Sequence, residues 1–518
     1  MANILLINPS YLRTYGTNQA GIANPVYPIL SLAVLAANAR QSGHRASILD
    51  LSYRAYDPNF IKEIIMREKP DVVGITATTP LANQMRDISF LVKEVSKEII
   101  TVGGGAHPSA LRYETMNESI LDVVAFGEAD LTVVDILNAK RFSEIDGICW
   151  RNGETVVMNH PRGLIGDLDE LPMPAWDLYP IDEYRNRVTK IITRYPPLTT
   201  IEFSRGCVFK CDFCGSKNTM GLGYRKKSPK RCADELEYLE KLGYREALLT
   251  DDIFTSDNHW AIQVCEAITR RNLKIKWTCT NGIRVDSAND KLFKAMKRAG
   301  CYRVHFGFES GNDSVLQSFG KGGRASLEQG LVAVQSARKA GLETWGMFLL
   351  GLYYDTKETM EDTIRYAKKV KTNIKKLGIV VPFPGTPMFN QLRKDCKIKT
   401  YNWDDYNLYN DSNAIFDHPR LQWETIQKYY KRAYLELYYK DPLFILRRFW
   451  RGILTLEIFF DLMCAVKFFF LLRKKATVPE EENYAFGGKW KLLNTQPDEM
   501  VEYSYPKARK QFSPPVGV

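Results

Sequence analysis

SRGCVFKCDFC, residues 204–214, sets Cys207, Cys211 and Cys214 at CxxxCxxC spacing at the end of an apolar strand pattern, TTIEFSR (199–205). Three thiols on one short loop can converge on one metal centre, and soft thiolates suit iron–sulfur clusters or zinc. A structural zinc site takes a fourth protein ligand. A 4Fe-4S cluster held by three cysteines instead leaves one iron open for a substrate. The nearest candidate for a fourth ligand, Cys232, has no partner at ligand spacing, so the segment reads as an iron–sulfur loop. The other cysteines, at 149, 265, 279, 301, 396 and 464, are scattered in apolar contexts, the usage of buried thiols in a reducing compartment.

Working outward, TTIEFSR begins a series of strand patterns: EALLTDD (246–252), KWTCTN (276–281), RVHFGFES (303–310), TWGMFLLG (344–351) and LGIVVPF (377–383). Helical patterning fills most of the intervals. Six βα units in succession predict a parallel sheet curling into a partial barrel, with its site at the carboxyl ends of the strands. Upstream, NILLIN (3–8), ASILD (46–50), DVVGIT (71–76), EIITVGG (98–104) and DVVAFGE (122–128) alternate with helical stretches near 28–41, 59–68 and 82–96. That alternation predicts a doubly wound parallel sheet, again with ligands at the carboxyl strand ends. The expected organisation is α/β: a first domain over 1–140, a connector over 141–195, the barrel over 196–395, a helical domain over 396–480 and a tail over 481–518.

The composition is that of a folded chain: 45% hydrophobic, 25% charged and 12% aromatic residues, which excludes disorder as the default. The start, MANILLINP, has no basic region and no cleavage site, so the expected location is cytoplasmic. The formal charge of +11 leaves a solvated basic surface, a membrane surface and an acidic ligand as alternatives. No nucleic-acid motif is present. Residues 443–475 carry seven Lys and Arg against Glu457 and Asp461, a net of +5, among bulky apolar residues. Glu457, Asp461 and Lys467 interrupt any spanning run. The stretch either packs on the catalytic domain or lies peripherally at a membrane, basic residues toward anionic headgroups.

The three-cysteine loop, with Phe213 at the aromatic position of CxxxCxΦC, resembles the radical S-adenosylmethionine (SAM) superfamily. The resemblance implies that the open iron chelates SAM and that an electron from the cluster cleaves it to a 5′-deoxyadenosyl radical. It extends across roughly 195–390. TDDIF (250–254) stands where the family carries Gly-Gly-Glu, with Asp251 and Asp252 as counterparts. TNGIRVD (280–286) offers Arg284 as a SAM carboxylate contact, and HFGFESG (305–311) offers Glu309 as a ribose contact. FLLGLYYDTKET (348–359) lacks the family's Pro-Gly-Glu core. PFPGTP (382–387) resembles the signature near adenine, with Pro384 and Gly385.

Ahead of this core, PVYPILSLAVLAA (25–37), GITATTP (74–80), VGGGAHP (102–108) and FGEAD (126–130) resemble the cobalamin-binding domain of one large subgroup. That subgroup holds the class B methyltransferases and the anaerobic magnesium-protoporphyrin monomethyl ester cyclases. The implied cobalamin contacts are Thr76, Thr78, Gly103, Gly104, Gly105, His107, Gly127 and Glu128. Asp-x-His-x-x-Gly is absent, so His107 is expected as a tail contact or a packed residue rather than a cobalt ligand. The implied cofactors are a 4Fe-4S cluster, SAM and cobalamin. The implied reaction is anaerobic methylation of an unactivated carbon of a small molecule, through the 5′-deoxyadenosyl radical and methylcobalamin. A lipid, isoprenoid or tetrapyrrole substrate and a flavodoxin or ferredoxin donor complete the expectation. The rivals are a non-methylating oxidation or cyclisation and a non-catalytic cobalamin or cluster sensor.

Overall fold

The computed structural model describes residues 1–15, 26–185, 193–321, 325–407 and 414–455. Both sheets lie within one compact unit, Met1–Leu437. The first sheet contains β1 (Asn3–Asn8), β2 (Arg45–Asp50), β3 (Val72–Thr76), β4 (Ile100–Gly104), β5 (Val123–Ala125), β6 (Ile148–Asn152) and β7 (Thr155–Met158), in the order β2-β1-β3-β4-β5-β6-β7. β1 to β5 pair in parallel, and β6 and β7 are antiparallel.

Parallel strands covered on both faces must be apolar throughout. In β1, Leu5 and Ile7 join Ile61, Ile65, Met85 and Ile88 on one side of the sheet, while Ile4 and Leu6 join Leu32, Ala36, Val133 and Ile136 on the other. Each such buried Leu or Ile contributes about 2 kcal/mol. Asp57 starts the helix Pro58–Glu68 by accepting hydrogen bonds from the Asn59 and Phe60 amides. The segment expected as a connector from residue 141 thus opens with two strands of this sheet. They turn at Gly153-Glu154, where Gly153 has φ +63°, a hairpin signal that the alternation of strands and helices hid.

The second sheet contains β8 (Leu198–Ile201), β11 (Glu246–Leu249), β12 (Lys276–Ile283), β13 (Cys301–Glu309), β14 (Glu343–Leu350) and β15 (Ile374–Ile379). All are parallel, and each lies beside its predecessor, the arrangement of an open (β/α)6 barrel. TTIEFSR divides: β8 ends at Ile201, and Ser204–Arg205 forms β9, antiparallel to β10 (Arg225–Lys226). The last strand starts at Ile374, ahead of its expected position, and Val380 and Val381 beyond it pack with Leu316 and Phe389. At the opposite end of the barrel, the Glu246 carboxylate accepts from Thr193 Oγ1, the Arg194 and Tyr195 amides and Tyr302 Oη. This network ties the amino-terminal ends of the strands together and leaves the carboxyl ends for the site.

The helix Trp423–Tyr434 lies on the barrel, with Tyr434 Oη donating to the Leu377 carbonyl at 3.1 Å. A second unit begins at Tyr438. Its described helix, Pro442–Thr455, exposes Ile445, Leu446, Phe449, Trp450 and Ile453. The remainder of the basic stretch, including Glu457, Asp461, Cys464 and Lys467, lies outside the described residues, as does the tail. Among the described residues no helix is long and apolar enough to cross a membrane.

Candidate functional site

The three cysteines occupy a loop whose base is closed by the β9–β10 pair, Arg225 opposite Arg205 and Lys226 opposite Ser204. Gly206 opens the loop at φ +84°. Cys207, Cys211 and Cys214 are all half-buried, whereas Cys149, Cys232, Cys265, Cys279 and Cys301 are buried. The loop is held from outside: the Asp212 amide donates to the Phe319 carbonyl, and the Met388 amide donates to the Asp212 carbonyl, both at 3.0 Å. Phe213 packs edge-on against Phe319, with ring centroids 5.3 Å apart. Burial pushes the Cys207 thiol up, while the Phe209 amide and Arg284 oppose the shift.

Among the described residues no three His, Cys, Asp or Glu side chains are gathered about one point as a single metal ion needs. A 4Fe-4S cube takes each thiolate on a different iron, so its donors stand further apart. Three half-buried thiols on a pinned loop fit that group.

The expected SAM residues fall into two sets. Glu309 ends β13 in the left-handed region, φ +57°, an uncommon conformation for a non-glycine residue and one that clusters at functional sites. Its carboxylate folds back over Gly307, where a Cβ would lie 2.5 Å from Oε1. The other set consists of Arg284, Asp251 and Asp252. Arg284 makes a bidentate pair with Asp286, at 2.9 and 2.7 Å, and its guanidinium lies 3.6 Å over the Phe209 ring of the cysteine loop. Asp251 accepts from the Phe203 amide and from Ser204 Oγ, and Asp252 accepts from the Gly206 amide at 3.1 Å. These three residues brace the loop. Pro384 and Gly385 reach the same place, the Pro384 carbonyl accepting from Asn218 Nδ2 at 3.4 Å.

The expected cobalamin residues gather at the carboxyl ends of β3, β4 and β5, beside the reversal of strand order. Thr76 is half-buried and Thr78 exposed. Gly103 and Gly105 answer to the fold itself. A Cβ at Gly103 would meet Leu121 at 2.6 Å, and one at Gly105, φ +104°, would meet the Ala77 carbonyl at 2.7 Å. Gly104 alone of the three has no atom closer than 3.8 Å to such a Cβ, leaving room for close approach. His107 is 2% exposed, lies edge-on to Trp403 at 4.7 Å, and is driven by burial down to about 3, so its ring is neutral. It is packed, and its Nδ1 has no hydrogen-bond partner among the described residues. Gly127 donates from its amide to Ser109 Oγ, and Glu128 is taken up by Arg205, Arg225 and the Ile165 amide.

Residues 201–367 match the radical SAM superfamily and residues 22–137 match the B12 binding domain. An uncharacterized methyltransferase of Pyrococcus horikoshii is 32% identical over 443 residues, covering 82% of this chain and 93% of that protein. The chain belongs to the cobalamin-binding radical SAM family. The anaerobic magnesium-protoporphyrin IX monomethyl ester cyclase of Rubrivivax gelatinosus is 27% identical over 418 residues, 78% of this chain and 72% of the cyclase. Among solved structures, the radical SAM methyltransferase TsrM of Kitasatospora setae, with cobalamin and a 4Fe-4S cluster bound, shares the fold. Its TM-score is 0.63 at 20% identity, covering 76% of this chain and 78% of that one.

This radical SAM enzyme uses a 4Fe-4S cluster, SAM and cobalamin. Sequence reading missed the residues that join its two cofactor domains, above all Arg205, Asp130 and Arg225. Their only signal was position: Arg205 directly precedes Gly206-Cys207, and Asp130 closes the FGEAD segment.

One consequence is measurable without cofactors. Burial pushes the Asp251 carboxyl up to about 7, although hydrogen bonds from Ser204 and Phe203 oppose the shift. An unfolded aspartate titrates near ~4, so the folded chain binds the proton more tightly. That stabilisation is complete below pH ~4 and is lost as pH rises through about 7. Asp251→Asn cannot ionise and is expected to flatten the fall of apoprotein Tm across this window. The slope is not expected to vanish, because Asp252, raised to about 6, also contributes. An unchanged slope in the variant would exclude Asp251 as the source.

Proposed function

We propose that this enzyme methylates an unactivated carbon of a small molecule, with Cys207, Cys211 and Cys214 holding the cluster. The single observation that carries the reading is the pinned three-thiol loop beyond the carboxyl end of β8, bonded at its base to the B12-type domain. When bound, the cluster cleaves SAM reductively and the cobalamin carries the methyl group. Phe213 orders the loop through Phe319, Arg284 and Asp252 fix its flanks, and Glu309 offers a carboxylate to the SAM ribose. Gly104 and Thr76 line the approach for the cobalamin tail. His107 is enclosed by Trp403, which supports a cobalt without a histidine ligand.

The exposed apolar stripe on Pro442–Thr455, next to Arg447, Arg448 and Arg451 in sequence, supports a lipid, isoprenoid or tetrapyrrole substrate and peripheral membrane contact. In this reading a flavodoxin or ferredoxin supplies the electrons.

The test is anaerobic reconstitution with cobalamin, SAM and dithionite, supplied with candidate lipids, isoprenoids and tetrapyrroles. Formation of 5′-deoxyadenosine with S-adenosylhomocysteine and a product heavier by one methyl group is the expected result. The second reading, cyclisation or oxidation, rests on the likeness to the Rubrivivax cyclase. It predicts 5′-deoxyadenosine and a changed substrate without S-adenosylhomocysteine. Cobalamin binding with no SAM turnover under any condition would sink both.

A further inference from the structure

Arg205 is 4% exposed, and its guanidinium has three acidic partners. Nε pairs with Glu202 at 2.7 Å, Nη1 and Nη2 form a fork on Asp130 at 3.2 and 3.1 Å, and Nη1 lies 3.4 Å from Glu128. Arg225, directly across the β9–β10 pair, approaches Glu128 at 2.7 Å and donates to the Ile165 carbonyl at 2.9 Å. Glu128 and Asp130 are 7% and 5% exposed. Two arginines on neighbouring strands repel each other, and with little water at the junction that repulsion is weakly screened. Of the acids that let them stand side by side, Glu202 belongs to the barrel, while Glu128 and Asp130 come from the first domain, in the turn and helix start that follow β5. The arginines bracket the cysteine loop: Arg205 precedes Gly206-Cys207, and Arg225 ends the loop.

We infer that Glu128 and Asp130 are positioning residues for the cluster loop: by neutralising Arg205 and Arg225 at its base, the cobalamin domain fixes the loop's conformation and hence the distance between the two cofactors. The inference rests on reading the loop as the cluster loop. It gives Glu128 a different task from the cobalamin contact first expected of it. A buried fork of this kind also resists rigid-body drift, because breaking one partner leaves charge uncompensated in a dry site. The geometry of the loop base therefore depends on acids of the first domain as well as on Glu202 and the β9–β10 pair.

The test compares the full-length double variant Glu128→Gln/Asp130→Asn with Glu235→Gln. The control removes a buried carboxylate that pairs with Lys227 and Arg231 and does not reach the first domain. In the cofactor-free chain, amide hydrogen exchange across 206–224 is expected to rise at least about tenfold in the double variant and to stay at the wild-type rate in the control. In protein loaded with both cofactors, pulsed electron paramagnetic resonance should give one narrow cobalt-to-cluster distance for wild type and control. The double variant should give a broadened distribution. Wild-type exchange across 206–224 in the double variant would overturn the inference. If the double variant does not fold, Asp130→Asn alone is measured, since Arg205 then keeps Glu202 and Glu128, and the same two outcomes decide. Failure of the cluster assignment would appear separately, as wild-type protein that takes up no iron while the exchange difference persists.

Discussion

Replacing any one of Cys207, Cys211 and Cys214 by alanine is expected to remove the cluster and abolish 5′-deoxyadenosine formation. Each thiolate takes its own iron, and among the described residues the remaining cysteines are not placed to substitute. Cys232 is fully buried on the helix Pro229–Lys241, Cys301 is buried at the start of β13, and burial pushes both thiols up, which disfavours the thiolate a metal requires. Cys232→Ala and Cys301→Ala should therefore leave iron content near wild type. Each should cost on the order of 1 kcal/mol of stability, that of a methyl-sized void. Iron per chain after anaerobic reconstitution, measured with 5′-deoxyadenosine yield, separates the two groups. A Cys232 variant that loses the cluster, beside a Cys214 variant that keeps it, would refute the assignment.

Gly206→Ala is expected to block cluster loading by a different route, without touching a ligand. Gly206 has φ +84°, and a Cβ there would stand 2.2 Å from the Gly223 carbonyl oxygen and 3.3 Å from that of Met220. Left-handed backbone alone costs alanine about 1–2 kcal/mol. The contact is worse, because both carbonyls belong to backbone that cannot rotate away, and Gly223 lies just ahead of β10. Relief requires the loop base to open, which displaces Cys207, the next residue. Gly153→Ala is the control: its φ is +63°, yet nothing lies within 4 Å of the new Cβ. It should pay the strain and load iron normally. Gly206→Ala should fold yet retain under about a tenth of the wild-type iron, a loss equivalent to roughly 1.4 kcal/mol or more in loading. Wild-type iron in Gly206→Ala would show that the loop base is plastic and that its geometry does not govern assembly.

The legible features are those whose partners are close in sequence. Strands read correctly where burial on both faces forces an unbroken apolar run, as in NILLIN, and overran in EALLTDD, whose strand ends at Leu249. They were misplaced where the run crossed a strand end, as at LGIVVPF, whose apolar residues continue into the core beyond Ile379. The β6–β7 hairpin was passed over although Gly153 stands in its two-residue turn. In a chain of alternating strands and helices, a short antiparallel addition carries little periodic signal. Arg284 was offered as a SAM contact by the resemblance of TNGIRVD to the family's third-strand segment, and local sequence carries no sign of its other neighbours. In the structure Asp286, two residues on, and the Phe209 ring, far back in the chain, occupy its guanidinium.

By itself the sequence determined the α/β architecture, the order of the two sheets and the three-thiol loop, because periodicity and ligand spacing act within a few residues. Tertiary structure alone decided what surrounds that loop. Arg205 meets Asp130 and Glu128 across separations of 75 and 77 residues, and His107 is enclosed by Trp403 from beyond the barrel. The reason is physical: charges and rings are selective only at contact distance, and which distant residues reach contact follows from how the two sheets pack. Nothing in the local pattern of FGEAD or SRG distinguishes a ligand contact from a partner across that junction.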